Sequence, residues 1–282
     1  MCKFVSWNLN SLRARFLHLE ALILKESPDI IMLQEVRADI EKLDILAIES
    51  LGYNVVHNLF KGRNGVMILS KYRIEDFSIT FSNKNLKKHI DKFKISDCNE
   101  GRYIECYVVI KNKTFCICSI YFPNGHNSVN DDKQNLQTED SERFNYKLAF
   151  YEDVAEHSRS LHQKADYVVL GGDYNVARHK RDVHNPDLFY NVPCFHPLEH
   201  QRFELLLDCG YVDYFREKNP TITEYTWWDY RMLSYKQNKG LRIDYIITSK
   251  NLLELIYSYK HLKYYRELDK PSDHCPVLLE IR

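Results

Sequence analysis

Residues 167–177 read YVVLGGDYNVA, and this stretch decides how the chain can fold. Its first four residues form a short apolar run, which predicts a buried strand. Two glycines and then Asp173 and Asn175 follow closely, so polar side chains begin where the strand ends. Strand ends are where α/β folds assemble their sites. Asp173 and Asn175 are therefore candidate functional residues.

The rest of the chain repeats this alternation of short apolar runs with helical periodicity. Strands are predicted over residues 2–10, 29–35, 53–60, 65–70, 74–81, 102–122 as a hairpin turning near Asn112, 167–170, 225–230, 243–248 and 277–281. Helices are predicted over residues 12–23, 40–51, 144–155 and from Pro197 to a stop at Gly210. This order is typical of a layered α/β architecture. Two sheets packed face to face, with helices outside both, would account for it.

The composition is balanced in charge, with 39 Lys and Arg against 39 Asp and Glu. The net charge therefore does not indicate a polyanionic partner. A surface that binds nucleic acid would have to be a local cluster of basic residues. The 282 residues, 44% of them hydrophobic, are enough for a substantial core. Because no Gly/Ser-rich or Pro-rich linker separates the halves, we expect one domain over residues 1–282.

Of the eight cysteines, only Cys116 and Cys118 stand close together. We expect the two thiols of this C-x-C pair to point to opposite faces of a strand, which favours neither a zinc site nor a local disulfide. Reduced thiols of a cytoplasmic protein are expected, most of them in the core. The sequence shows neither a signal-like start nor a stretch long enough to cross a bilayer, so no membrane association is expected.

Further acids and a histidine stand at other predicted strands. Glu35 ends DIIMLQE, Asp244 interrupts the apolar run of LRIDYIIT, and Asp273 with His274 directly precedes CPVLLEI. Each has a purely structural alternative, such as pairing of Asp244 with the nearby Arg242. Several buried acids together, however, need compensation by a metal or by cationic and hydrogen-bonding partners.

The donor types indicate which metal such a site would take. Carboxylate and Asn oxygens suit Mg²⁺, and Mn²⁺ is also compatible with oxygen ligands. The absence of H-x-x-x-H and C-x-x-C patterns argues against zinc. A magnesium site together with a histidine indicates phosphoester chemistry.

Nine motifs stand in order along the chain: WNLNSLRAR (7–15), LQE (33–35), GVMILSK (65–71), EGRYIE (100–105), YFPNG (121–125), GGDYNVA (171–177), TWWDYR (226–231), GLRIDYI (240–246) and PSDHCPV (271–277). Together they resemble the exonuclease III family of apurinic/apyrimidinic endonucleases over nearly the whole length. The resemblance implies a four-layer αββα sandwich of two mixed β-sheets flanked by helices, with an internal pseudo-two-fold repeat.

The resemblance also implies roles for individual residues. The implied magnesium ligands are Glu35, assisted by Asn8, Asn10 and Asp273. The implied catalytic residues around the scissile phosphate are Tyr121, Asp173, Asn175, Asp244 and His274. Asp173 would orient or deprotonate the attacking water, and Asp244 would fix the tautomer of His274.

TWWDYR and GLRIDYI carry the implied substrate pocket. Trp227, Leu241 and Ile243 would wall a pocket for a sugar that has lost its base, whereas Trp228 is expected in the core. An abasic deoxyribose costs little to extrude because it has no base to unstack. The further implied substrate-binding residues are Arg102, Asn124 and Arg231. Candidates for backbone-phosphate contacts, with a merely solvated surface as the alternative, are Lys236, Lys239 and residues 178–181.

Two departures from the family pattern stand near these motifs. Ser11 occupies a position where many relatives carry Gly, which implies a small change of the backbone near the metal. The polar insert over residues 126–140 has no counterpart that can be aligned, so it leaves the local DNA contacts open.

The resemblance implies a magnesium-dependent repair enzyme that cleaves 5′ to abasic sites. The implied companion activities are 3′-phosphodiesterase and 3′→5′ double-stranded DNA exonuclease. The expected partner is double-stranded DNA with abasic sites or blocked 3′ ends, and a monomer is expected. The alternatives are an inositol-phosphate phosphatase or sphingomyelinase of the same fold, or a DNA-binding homologue that has lost catalysis.

Overall fold

The structure, a computed structural model, describes residues 1–60, 62–81, 84–89, 100–126, 138 and 141–282. The described strands are β1 (Cys2–Asn8), β2 (Ile30–Gln34), β3 (Asn54–Phe60), β4 (Arg63–Ser70), β5 (Ile74–Ser78), β6 (Tyr103–Ile110), β7 (Lys113–Tyr121), β8 (Tyr167–Asp173), β9 (Tyr211–Val212), β10 (Asp244–Ser249), β11 (Ile256–His261) and β12 (Val277–Ile281). The described α-helices are α1 (Phe16–Glu26), α2 (Ile45–Glu49), α3 (Glu142–Leu161), α4 (Pro186–Phe189), α5 (Pro197–Asp208) and α6 (Tyr214–Lys218).

The strands form two six-stranded sheets of the same topology. The first sheet has the order β11-β12-β1-β2-β4-β3, and the second has the order β5-β6-β7-β8-β10-β9. In each sheet the third and fourth strands pair in parallel, and all other neighbours pair antiparallel. This match confirms the expected mixed sheets and the internal two-fold repeat.

Alternating side chains of β2 show how the layers are built. Ile30 and Met32 face the core between the two sheets, whereas Ile31 and Leu33 face the outer core that α1 covers. This follows from the two-residue period of a strand. At Gly171 of β8 a Cβ atom would lie 2.4 Å from the Met32 sulfur. Any side chain at this position would displace Met32, so the glycine lets β8 pack closely against β2 of the opposite sheet.

Helices cover the outer face of each sheet. Leu19 and Leu22 of α1 are buried against the first sheet. Tyr151 of α3 and Phe203 of α5 belong to the buried cluster on the outside of the second sheet. The four-layer αββα sandwich is thus confirmed. In the part of the chain that the structure describes, no helix is long and apolar enough to cross a membrane.

Three predicted elements differ in the structure. The helix predicted over residues 40–51 is divided, because Leu43 is extended and Asp44 caps α2 by accepting from the Ala47 amide at 2.9 Å. The helix predicted from residue 12 begins only at Phe16, because its N-cap residue Arg15 has a non-helical φ of −123°. The strand predicted over residues 225–230 was wrong, since only isolated bridges from Trp227 form there.

The expectation for the C-x-C pair was also wrong. Cys116 and Cys118 face the same side of β7, toward α3, with their sulfur atoms 3.9 Å apart. The reason is the strand period itself, which returns every second side chain to the same face. The seven described cysteines are buried and unpaired, and Cys98 lies outside the described residues.

A buried charge network fixes the start of β10. The Arg242 guanidinium donates from Nε to Asp182 Oδ1 at 2.8 Å and from Nη2 to Asp213 Oδ2 at 2.6 Å, and all three side chains are buried. Arg216 also donates to Asp182. Buried charges of this kind are tolerated only when paired and hydrogen-bonded. The network therefore holds three separate segments of the chain together.

We predict that Arg242→Met lowers the free energy of unfolding by about 3–5 kcal/mol, because two carboxylates then stay buried without their main cation. Urea unfolding followed by circular dichroism measures the change.

The control is Arg202→Met, which removes a half-exposed pair with Glu152 (Nε to Oε1, 3.0 Å). It should cost at most about 1 kcal/mol. Equal losses in the two variants would contradict the structural role of Arg242.

Candidate active site

Strands from both sheets bring the predicted residues to one edge of the sandwich. In the second sheet Tyr121 of β7 lies opposite Asp173 of β8, and Asp173 lies opposite Asp244 of β10. In the first sheet Asn8 ends β1, and Glu35 directly follows β2. The parallel pairing of each central pair makes their carboxyl ends meet at this edge.

Asn8 joins the two sheets through its side-chain amide. Its Nδ2 donates to Glu35 Oε1 at 2.8 Å and to Asp173 Oδ2 at 2.9 Å. Its Oδ1 accepts a hydrogen bond from the backbone N–H of Asn10 at 3.0 Å, which fixes the orientation of the Asn8 side chain. Ser272 donates its hydroxyl to the Asn8 carbonyl at 2.7 Å. One buried amide thus holds two carboxylates together.

Asp173 lies at the centre of the site and is buried. Its Oδ1 accepts from the backbone N–H of Asn175 at 2.9 Å, and Asn175 has a φ of 51°. Burial raises the pKa of Asp173 to about 7 against the opposing charge of His274, and the charges of Asp244 and Glu35 contribute to the rise. Near neutral pH this carboxyl can therefore both accept and release a proton.

His274 bridges two carboxylates. Its Nδ1 lies 2.9 Å from Asp244 Oδ2, and its Nε2 lies 3.8 Å from Asp173 Oδ2. Burial would lower the pKa of His274, but the charges of Asp244 and Asp173 raise it to about 10. Asp244 is therefore the partner of His274 and not of Arg242. The Thr226 hydroxyl accepts a hydrogen bond from the backbone N–H of Asp244 at 3.0 Å, which fixes the backbone of Asp244.

The donor set fits a hard divalent cation. Single donor atoms of Glu35, Asp173 and His274 all lie within 4.8 Å of one another. Oε2 of Glu35 is buried without a hydrogen bond, although the Arg37 guanidinium lies against it as an ion pair. A carboxylate oxygen with spare lone pairs beside a second carboxylate suits a cation that prefers oxygen ligands. Glu35 and Asp173 are the residues best placed to hold it.

The backbone around these residues is strained. Glu35 has a φ of 49°, Asn10 has a φ of 48° and Arg37 has a φ of 47°, values that residues other than glycine rarely adopt. Ser11 has a φ of 92°, in the left-handed backbone region that favours glycine. Strained residues of this kind cluster at functional sites.

Asp273, predicted as a further metal ligand, lies apart from the Glu35 group. Its Oδ1 accepts from Asn10 Nδ2 at 2.9 Å, and its Oδ2 accepts from Trp227 Nε1 at 3.0 Å. Although burial opposes the change, the charge of His274 and these hydrogen bonds lower the pKa of Asp273. In this structure the Asp273 carboxylate positions Asn10 and Trp227, and its role as a metal ligand stays a prediction.

A cavity of about 740 Å³ opens beside the carboxylates. The predicted wall residues Trp227, Leu241 and Ile243 line it, whereas Trp228 is buried in the core. Other predicted residues that line the cavity are Asn124, Arg231 and Lys239. Lining residues that sequence reasoning missed are His184, Leu188, Phe189 and Met232. They stand in loops or in helices of only three or four residues, which are too short for periodicity to give a signal.

Several of the predicted DNA-binding arginines have carboxylate partners. Arg102 Nε donates to Glu100 at 3.2 Å, and its guanidinium lies 4.8 Å from the centre of the Tyr121 ring. The exposed Arg231 pairs with Asp229 at 2.8 Å. Arg178, from the basic run 178–181, pairs with Glu204 at 2.7 Å. The exposed lysines of the set are Lys180, Lys236 and Lys239.

Sequence reasoning also missed Lys147 of α3, which is completely buried. Its Nζ donates to the Asn175 carbonyl at 2.7 Å and to the Asn124 carbonyl at 3.2 Å, and it pairs with Glu199. It therefore ties two loops of the site to one helix. Its position three residues after the buried Phe144 is the sequence signal that places it on the inner face.

The polar insert is only partly described. His126 lines the cavity, and the Thr138 hydroxyl donates to the Asn191 carbonyl at 3.0 Å. The prediction for residues 127–137 and 139–140 lies outside the described residues.

We predict that Asp244→Asn lowers the pKa of His274 from about 10 by more than one unit, because the imidazolium loses its nearest negative charge. NMR titration of the His274 ring nitrogens in metal-free protein measures the shift. Glu224→Gln is the matched control, since Glu224 pairs with a different histidine, His261, at 2.8 Å. A His274 ring that still titrates near pH 10 in Asp244→Asn would contradict the assignment.

Comparisons with known proteins agree with this geometry. The model of the endonuclease/exonuclease/phosphatase family matches residues 5–274. The chain is 31% identical to exodeoxyribonuclease III of Haemophilus influenzae over 287 residues, covering 99% of this chain and 100% of the relative. It is 30% identical to an exodeoxyribonuclease of Bacillus subtilis, with 99% of each chain covered.

Solved structures of related enzymes have the same fold. A 3′ phosphatase from Neisseria bound to a product DNA hairpin superposes with a TM-score of 0.86 at 28% identity, covering 100% of both chains. An AP endonuclease from Archaeoglobus fulgidus superposes with a TM-score of 0.85 at 28% identity, covering 100% of this chain and 99% of that one. The resemblance to the exonuclease III family is confirmed, and the chain belongs to the endonuclease/exonuclease/phosphatase family.

Proposed function

We propose that this protein is a divalent-metal-dependent DNA phosphodiesterase that incises 5′ to abasic sites. The observation that carries the proposal is the convergence of Glu35, Asp173 and His274 beside a cavity with apolar walls. Two acids and a histidine that lie close together can hold a metal and act on a phosphodiester. The adjacent cavity can accommodate a sugar that has lost its base.

The proposed mechanism assigns one task to each group. A divalent cation, with Mg²⁺ or Mn²⁺ as the candidates, would be held by Glu35 and Asp173 and would neutralise charge on the phosphate. Asp173 takes the proton of the attacking water. His274, charged through Asp244, donates a hydrogen bond to a phosphate oxygen.

Neighbouring side chains position the phosphate. Asn175 donates its Nδ2 to the Phe122 carbonyl at 2.9 Å and to Asp173 Oδ2 at 3.3 Å, which holds its side-chain amide beside Asp173. Burial and the charge of Glu35 raise the pKa of Tyr121 well above its usual value, although the charge of Arg102 opposes the rise. Its hydroxyl therefore stays protonated and donates to the phosphate. Asn8, Asn10 and Asp273 complete the proposed metal surroundings.

The cavity sets the proposed substrate. The half-buried Trp227, with Leu241 and Ile243, forms an apolar wall that suits a deoxyribose, and a sugar without a base costs little to extrude because it has no base to unstack. The exposed Lys236 and Lys239 are proposed to contact backbone phosphates without reading sequence. Double-stranded DNA carrying an abasic site is thus the proposed substrate, acted on by one catalytic unit over residues 1–282.

A second proposed activity is removal of blocking groups and nucleotides from 3′ ends. It rests on the relatives, which include exodeoxyribonucleases and a 3′ phosphatase bound to a DNA hairpin. An inositol-phosphate phosphatase or sphingomyelinase has no observation in its favour. A DNA-binding homologue without catalysis would lack a key group, whereas Glu35, Asp173 and His274 all stand together here.

We predict metal-dependent incision 5′ to an abasic-site analogue in duplex DNA, and its reduction by at least about 100-fold in Asp173→Asn, because the amide cannot take the proton. Gel electrophoresis of end-labelled duplex with Mg²⁺, Mn²⁺ or chelator measures the rate.

The control is Asp208→Asn, an exposed carboxylate at the end of α5, which should cleave at the wild-type rate. Tight binding of the duplex without incision in any metal would overturn the proposal and favour the inactive homologue.

We predict that Trp227→Ala lowers kcat/KM for abasic duplex by about 10–100-fold through loss of the apolar wall, while Trp227→Phe keeps most of the activity. The Phe variant lacks the Nε1 donor to Asp273 and so separates the wall from the hydrogen bond. Steady-state kinetics on abasic and undamaged duplexes checks both. Equal losses in the two variants would mean that the hydrogen bond, and not the wall, matters.

A further inference from the structure

A fully buried ion pair lies behind the wall of the active-site cavity. Lys147 of α3 and Glu199 of α5 have no exposed surface, and the Lys147 ammonium donates to the Glu199 carboxylate. Neither residue lines the cavity itself. Burying two charges is costly unless they are paired and hydrogen-bonded. The hydrogen bonds of the pair show which parts of the site it holds.

Lys147 fixes the loop that follows β8. Its Nζ donates to the Asn175 carbonyl at 2.7 Å, and the backbone N–H of Asn175 donates to Asp173 Oδ1 at 2.9 Å. Asn175 has a φ of 51°, a conformation that residues other than glycine seldom adopt. The two hydrogen bonds hold Asn175 from both sides. They therefore stabilise the backbone conformation that points its N–H at Asp173.

The same ion pair reaches two further loops of the cavity wall. Lys147 Nζ also donates to the Asn124 carbonyl at 3.2 Å, and Glu199 Oε1 accepts from the backbone N–H of Cys194 at 3.1 Å. Asn124, Asn175 and Cys194 all line the cavity, and all three lie outside helices and strands. One buried pair therefore holds three separate segments of the wall.

Both partners of the pair stand on helices. Lys147 lies within the 20 residues of α3, and Glu199 lies in the first turn of the 12-residue α5. Glu199 Oε2 also accepts from the backbone N–H of His196 at 3.0 Å, which ties the carboxylate to the start of α5. Groups of a site are held most precisely when rigid elements support them. The pair thus transmits the rigidity of two helices to the loops of the site.

We propose that Lys147 is a positioning residue for the cleavage of the phosphodiester, acting through Asn175 on Asp173. Its ammonium keeps the Asn175 backbone in the conformation whose N–H holds the Asp173 carboxylate. Glu199 supplies the opposite charge that allows this ammonium to stay buried. The inference rests on the proposed function, because Asp173 takes the proton of the attacking water in that mechanism.

The test replaces the pair by neutral side chains in the full chain. In Lys147→Met/Glu199→Gln no charge stays buried without a partner, and replacing a buried ion pair in this way is often neutral for stability. We expect Tm to stay close to the wild-type value. We expect kcat on abasic duplex to fall by about 10–100-fold, because a small displacement of a catalytic group has effects of this size. KM should change less, since the exposed Lys236 and Lys239 are not part of this network.

Amide hydrogen exchange measured by NMR gives a second readout, which needs no DNA. In the wild-type protein the Asn175 N–H should be protected by its hydrogen bond to Asp173. In the double variant it should exchange at least about tenfold faster, while the amides within β8 and β10 keep their rates. A purely structural role of the pair would change all these amides together.

The matched control is Arg202→Met/Glu152→Gln. Arg202 of α5 donates from Nε to Glu152 of α3 at 3.0 Å, so this control removes another ion pair between the same two helices. Neither residue lines the cavity. The control should keep the wild-type kcat and the wild-type exchange rate of the Asn175 N–H.

Three results overturn the proposal. The first is rapid exchange of the Asn175 N–H in the wild-type protein, a result that does not depend on whether any variant folds. The second is a folded Lys147→Met/Glu199→Gln variant that keeps the wild-type kcat. The third is an equal loss of kcat in the control. Absence of incision by the wild-type protein would instead count against the proposed function, so the two failures are distinguishable.

Discussion

The side-chain amide of Asn8 is the contact on which the site depends. It donates to Glu35 from the first sheet and to Asp173 from the second, across 165 positions of sequence in the latter case. Two carboxylates repel each other unless a donor or a cation stands between them. The close packing of the sheets at Gly171 brings these groups within reach, so fold and site share one geometric requirement.

The buried charges are sorted into separate networks. Arg242 compensates Asp182 and Asp213, and Lys147 compensates Glu199. Each network binds segments that carry site residues, since Lys147 also holds the Asn175 carbonyl. At the site, by contrast, Glu35, Asp173 and Asp244 meet only Arg37 and His274 among the described residues. This leaves them able to bind a metal and to exchange protons with a substrate.

The strand β7 shows how one element supports both the core and the site. Cys116 and Cys118 face α3, whereas Tyr121 at the end of the strand lies opposite Asp173. A strand presents alternate residues to its two faces. The packing of α3 against one face therefore fixes the strand whose end carries Tyr121.

The sequence by itself determined most strands and made Glu35 and Asp173 candidates, because apolar runs that end in polar residues carry local information. The four-layer class followed from the resemblance of nine ordered motifs to a known family. The sequence alone did not determine the partners. The resemblance implied the pairing of His274 with Asp244, and the structure has it. Only the tertiary structure turned Asp273 toward Asn10 and Trp227. These contacts join residues far apart in the chain, and they exist only after two sheets pack face to face. Periodicity describes one element at a time and does not encode such packing.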